Sequence, residues 1–126
     1  MISQTNNDGP LKGLVVADFT QLAQGPWATQ MLGDMGADII KIEPRKGDWM
    51  RHYSYGNLYP KGESISFVSF NRNKRSIAVD LKDDEGRKIV RNIIAKSDIL
   101  IENFRPGVME RLGLGYEDIK ELNPRL

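Results

Sequence analysis

Cysteine is missing from this 126-residue chain, and histidine occurs once, at His52. The first absence excludes disulfides, thiolate metal sites and a cysteine nucleophile, and it fits a cytoplasmic protein. The second argues against a metal centre or a Ser-His triad contained in the chain. His52 has no partner at metal-ligand spacing and reads as a solvated loop residue. No apolar run approaches the roughly 18–20 residues needed to span a bilayer, so no transmembrane helix is expected. The opening decapeptide MISQTNNDGP has neither a basic start nor an apolar core; it reads as a flexible tail over residues 1–10, not as a secretory leader. Charge of one sign is scarce too. Eighteen Lys and Arg against 17 Asp and Glu leave a formal charge of +1, no global field for nucleic acid or an anionic membrane. Phosphate-cradling glycine loops are also wanting: no G-x-x-x-x-G-K-[ST] occurs. The turn Gln21-Leu22-Ala23-Gln24-Gly25-Pro26 holds one glycine where a dinucleotide fingerprint needs three, although Glu43 sits where a ribose-binding acid would.

What remains is an ordinary globular composition, 40% hydrophobic and 28% charged, that fits one domain over residues 11–126. Short apolar runs alternate with helical patterns. Leu14–Phe19, Asp38–Glu43, Ser76–Leu81 and Asp98–Glu102 predict strands. Gly25-Pro26 opens a helix to about Met35, with Trp27, Met31 and Leu32 at helical spacing and Gly36 as its stop. In Ser64–Phe70 the apolar Ile65, Phe67, Val68 and Phe70 fit either a short helix or a strand, and helix is the preferred reading. Asp83 caps a helix over about Asp84–Ala95 with Ile89, Ile93 and Ile94 on its buried face. Short helices follow over Val108–Leu112 and Tyr116–Leu122. Pro44 to Gly62 is irregular, more like a loop over a site than a linker. Strands separated by helices predict right-handed crossovers and an open parallel α/β sheet, which binds ligands beyond the carboxyl ends of its strands. Because Leu126 falls where a further strand would start, the sequence is expected to be a fragment, truncated before the fold is complete.

Two constellations attract attention on chemical grounds. Asn71-Arg72-Asn73-Lys74-Arg75-Ser76 reads either as a charged, exposed start to the third strand or as a phosphate-recognition cluster. Lys82, just after the third apolar run, is better placed, as a cation at the carboxyl edge of a central strand. Glu102-Asn103-Phe104-Arg105-Pro106-Gly107 sets an amide, an aromatic face and a guanidinium on a Pro-Gly turn, either a plain turn or a place for a ring and a phosphate. Arg111, late on its short helix, either satisfies terminal carbonyls or faces an anion.

Four segments in this order, LVVADFTQLAQGP (14–26), GADIIKIEPRKGD (36–48), NRNKRSIAVDLK (71–82) and IENFRPGVMERLGLGY (101–116), resemble the N-terminal region of the class III CoA-transferases. That family includes formyl-CoA transferase and carnitine CoA-transferase and also the α-methylacyl-CoA racemases. The resemblance implies a Rossmann-like large domain with coenzyme A in the sheet crevice, as substrate and not as a covalently held cofactor. It places Leu22, Ala23 and Gln24 along the CoA site, and Val79 against the adenine side. It makes Lys82 and Arg111 phosphate partners, and lays Asn103, Phe104 and Arg105 along the pantetheine and nucleotide. Arg45 stands one residue later than the arginine that some members stack on adenine, because Pro44 occupies that position.

The resemblance also implies much longer chains that form interlocked homodimers. Their nucleophilic aspartate lies beyond the equivalent of Leu126, so no catalytic residue is expected within this chain. In that chemistry the carboxylate attacks an acyl-CoA thioester and passes CoA to a carboxylic acid through an anhydride and an aspartyl-CoA thioester. The racemases use a His/Asp acid–base pair, also downstream. The expectation is a CoA-binding part of a CoA-transferase; the alternatives are part of a racemase-type enzyme, or a non-catalytic CoA-binding or interaction fragment.

Overall fold

In the computed structural model, which describes residues 8–126, four strands form one sheet: β1 (Val15–Asp18), β2 (Asp38–Glu43), β3 (Lys74–Ala78) and β4 (Ile99–Ile101). Every pairing is parallel and the spatial order is β3-β2-β1-β4. Val16 is the pivot of the register, level with Ile39 on one side and Ile99 on the other. Helices α1 (Gln24–Asp34), α2 (Ile65–Phe70), α3 (Asp84–Ile94), α4 (Val108–Arg111) and α5 (Tyr116–Ile119) complete the α/β fold. The expected parallel sheet with flanking helices is the observed one. The chain builds outward from β1 through β2 to β3, then α3 carries it back to β4 on the far side of β1. That reversal opens a crevice at the carboxyl ends of the strands.

Alternation along the strands divides the apolar core in two. Ala17 and Ile42 face the cluster that holds Val90 and Ile94 of α3, Met109 of α4 and Ile119 of α5. Val16 and Ile39 face the opposite cluster, with Leu32 of α1. Helix α1 begins where Gly25 presses on the end of β1; a Cβ there would stand 2.4 Å from Thr20 Cβ, so no larger residue fits without movement. Pro26 falls in the first turn, where its missing N–H is not needed.

Several sequence readings shift. The inward face of α1 carries Pro26, Thr29 and Gln30, while Trp27 and Met31 are exposed. The reason is polar: Thr29 donates to Asp18 (2.7 Å) and Gln30 accepts from Arg72 N (3.3 Å), so the helix buries hydrogen-bonding groups in place of its largest apolar ones. Helix α3 buries Gly86, Val90 and Ile94 and turns Ile89 outward; Ile93 is partly buried against the core. Asp83 stands at its N-cap but makes no capping hydrogen bond. The third strand starts two residues and ends three residues earlier than predicted, and it lies at the sheet edge. The last ladder bond, from Val79 N to Glu43 O (2.8 Å), is followed by a turn in which Asp80 accepts from Lys82 N (2.9 Å). Lys82 therefore leaves an edge strand, not a central one. Of the predicted tail, residues 1–7 lie outside the described residues. Gly9 is already packed, since a Cβ on it would meet Met35 O at 2.0 Å.

Among the described residues, no helix is long and apolar enough to cross a membrane, and no group of three or more His, Asp or Glu could hold a metal.

Candidate functional site

The loops leaving all four strands converge on one open cavity of about 580 Å³, within the roughly 300–1,000 Å³ usual for small-molecule sites. Its walls are apolar: Phe19 beyond β1, Ile42 of β2, Val79 and Leu81 beyond β3, Phe104 beyond β4, and Leu112 after α4. Its rim carries three cations, Arg45, Lys46 and Lys82, all exposed, together with Gln21 and Asp80. An apolar slot edged by guanidinium and ammonium groups suits a planar ring attached to phosphates.

Of the residues expected at the site, Arg45, Val79, Lys82 and Phe104 line this cavity. Leu22, Ala23, Gln24, Asn103, Arg105 and Arg111 do not, though they lie on segments that border it. Asn103 is one step away. Its Oδ1 accepts from Gln21 N and its Nδ2 donates to Gln21 O, both at 2.9 Å, clipping the β1 loop to the β4 loop. Leu22 is exposed and held at φ 69°, a backbone region that leucine rarely adopts. Arg105 and Arg111 are exposed, the latter lying back over Gly107, whose Cβ would be 3.0 Å from Nη1. Gln21 and Lys46 were missed as lining residues. The rule that ligands gather beyond strand ends was the signal for both, since they follow β1 and β2 within three residues.

Two features left open by the sequence are explained by their partners. The cations of the 71–76 cluster are engaged by carboxylates. Arg72 Nε donates to Asp34 (3.1 Å), Arg75 Nε donates to Asp38 (2.9 Å), and Lys74 is buried against Asp18 (3.1 Å). Burial pushes the Lys74 ammonium down to about 8, with Asp18 pulling in the opposite direction. Glu43, at the strand-end position of a ribose-binding acid, has its oxygens occupied. Arg51 forks onto it through Nε and Nη2 at 2.7 Å each, Asp48 N donates at 2.7 Å, and Ser76 Oγ adds a further bond. Burial pushes this carboxyl up, but the hydrogen bonds from Arg51, Ser76 and Asp48 outweigh it and hold it at about 2. The same pairing raises Arg51 above its ordinary value.

A neighbouring buried pair anchors the same loop. Lys41 Nζ lies 2.9 Å from Asp48 Oδ2 and donates to Thr20 O (2.7 Å). The ion pair is close without hydrogen-bond alignment, so Asp48 Oδ2 has no aligned donor, whereas Oδ1 accepts from Met50 N (2.9 Å). Asp18 is likewise saturated by Thr20, Thr29 and Lys74, and Glu102 accepts from Phe104 N. A second concavity, about 380 Å³ between Tyr116, Ile119 and Leu126, contains none of the expected residues.

Comparison with known proteins bears on what this crevice is for. The chain is 45% identical over 125 residues to the human succinyl-CoA:glutarate CoA-transferase, covering 98% of this chain and 28% of that protein. It is 45% identical over 118 residues to the formyl-CoA:oxalate CoA-transferase of Escherichia coli O6:H1, covering 93% and 28%. Among solved structures, a CAIB/BAIF family protein from Brucella suis superposes with a TM-score of 0.87 at 41% identity, covering 94% of this chain and 32% of that one. The chain thus spans less than a third of the length of these relatives. The family model described as CoA-transferase family III matches residues 11–126, and the chain belongs to that family.

Proposed function

We propose that the cavity at the carboxyl edge of the sheet receives the nucleotide handle of coenzyme A. On this reading the chain supplies CoA recognition to an enzyme that moves CoA from an acyl-CoA to a carboxylic acid. The observation that carries it is the joining of an apolar slot with Arg45, Lys46 and Lys82 on one rim. Val79 and Phe104 offer faces to the ring, and the three cations offer charge-assisted hydrogen bonds to phosphate oxygens. Relatives whose names specify CoA transfer between carboxylates support transfer over racemisation.

The acyl-accepting carboxylate of such a reaction is not assigned to a residue of this chain. Asp18 and Glu43 are poor candidates, because each already accepts hydrogen bonds at both oxygens. A nucleophile needs a free lone pair aimed at the thioester carbon. Arg105, Arg111, Leu22, Ala23, Gln24 and Asn103 are read as serving the remainder of the CoA chain, or the frame of the loops that hold it.

Titration calorimetry with CoA and dephospho-CoA tests this reading. Lys82→Ala is expected to weaken CoA on the order of tenfold, the worth of one charged contact, and dephospho-CoA less. A folded protein that gives no heat at millimolar CoA would refute the assignment.

A further inference from the structure

Chain direction changes abruptly after β2, and the way it is held gives Glu43 and Arg51 a role. Gly47 N donates to Pro44 O at 2.7 Å, closing a four-residue turn whose two central residues are Arg45 and Lys46, cations on the cavity rim. Beneath this turn, the last residue of β2 and the first 3₁₀ turn beyond it (Trp49–Arg51) are locked together. The Glu43 carboxylate takes both Arg51 nitrogens at 2.7 Å and the backbone N–H of Asp48 at 2.7 Å. Arg51 is fixed from its other side by the buried Phe67 ring of α2, with its guanidinium carbon 3.7 Å from the ring centre. Its stem fills the space beside Gly47, where a Cβ would stand 2.6 Å from Arg51 Cδ and where φ is +80°. One further brace comes from His52 Nε2, which donates to Lys46 O at 2.7 Å.

Glu43 borders the slot but both its oxygens are already occupied, and Arg51 does not line it. A bidentate pair resists both sliding and rotation, which a single ammonium contact does not. From this we infer that the Glu43–Arg51 pair is a positioning device. It buckles the Pro44–Gly47 turn to the sheet and thereby sets where Arg45 and Lys46 stand over the ligand. The ligand half of this inference rests on the cavity being the CoA site; the hold on the turn does not.

Arg51→Lys, which keeps the charge and loses the fork, and Glu43→Gln, which keeps the shape, are the informative variants. Both are read in two ways. The first is native-state trypsin cleavage after Arg45 and Lys46, normalised to cleavage after Lys88 of α3, which requires wider unfolding. The ratio is expected to rise on the order of tenfold in either variant. The second is CoA affinity in a double-mutant cycle. Arg51→Lys is expected to weaken CoA on the order of tenfold in the parent and hardly at all in an Arg45→Ala/Lys46→Ala background. An equal loss in both backgrounds would mean that the pair merely stabilises the fold, and would overturn the inference. So would an unchanged cleavage ratio. A parent protein that does not bind CoA overturns the reading of the cavity and the ligand half of the inference; the cleavage ratio still decides whether the pair holds the turn.

Discussion

Lys41 and Asp48 each retain only 1% of their side-chain exposure, so the pair must satisfy itself without water. Replacing Lys41 with Met removes the cation and leaves a similar apolar stem. Asp48 then stays buried with an uncompensated charge, and the aligned bond to Thr20 O is lost as well. Breaking one side of a buried pair costs about 3–5 kcal/mol, and a buried carbonyl without a donor costs about 1–3 kcal/mol more. Against a total stability of about 5–15 kcal/mol for a domain, Lys41→Met should remove about half of the stability at 25 °C. Urea denaturation followed by far-ultraviolet circular dichroism measures the loss. Adding Asp48→Asn removes the stranded charge and keeps the acceptor used by Met50 N, so the double variant should regain about 2 kcal/mol over the single one. A loss below about 1 kcal/mol in Lys41→Met, or a double variant weaker than the single, would refute the view that this ion pair is a buried, mutually dependent unit.

Glu43 makes a prediction with a definite direction in pH. Its carboxyl is held at about 2 in the folded protein against an ordinary 4.5, so it contributes stability that is complete above about pH 4.5 and vanishes as pH falls through 2. The contribution is on the order of 3 kcal/mol; acid titration of the folded fraction should show Glu43→Gln losing less stability between pH 5 and 2 than the parent. Gly25→Ala forces a methyl against Thr20 and should cost about 1–3 kcal/mol, lowering Tm by several degrees in a calorimetric scan. Asn103→Ala cuts both strands of the clip to Gln21. It should quicken hydrogen exchange at the Gln21 amide and weaken CoA several-fold, with only about 1 kcal/mol lost in stability.

Local signals made much of this fold readable. Asp38–Glu43 is bounded by Gly36 and Pro44, and the predicted strand coincides with β2. Gly25-Pro26 marks the first turn of α1, and the short run at Ile65–Phe70 is the helix expected there. Features that depend on distant partners were not readable in the same way. Lys74 meets Asp18 across 56 residues and Arg72 meets Asp34 across 38, so a cluster that resembled a phosphate grip proved to be internal ion pairing. The inward face of α1 is largely polar for the same reason, and of the three apolar residues at helical spacing only Leu32 packs against the core, Trp27 and Met31 being exposed. At the candidate site, strand-end reasoning and family likeness reached Val79, Lys82, Phe104 and Arg45. Gln21 and Lys46 fall under the same strand-end rule, three residues beyond β1 and β2, but no family motif singles them out.

The outward placement of the two tryptophans decides how this molecule can be watched. Trp27 and Trp49 are 57% and 55% exposed, so both indoles already sit largely in solvent in the native state. The solvent exposure of these indoles alters little when the chain as a whole comes apart. Trp49 is stacked on Tyr53 with ring centres 4.8 Å apart, immediately beside the Arg51 anchor. A change in its signal therefore records events in the segment after β2, an optical probe that nature has placed next to the turn bearing Arg45 and Lys46.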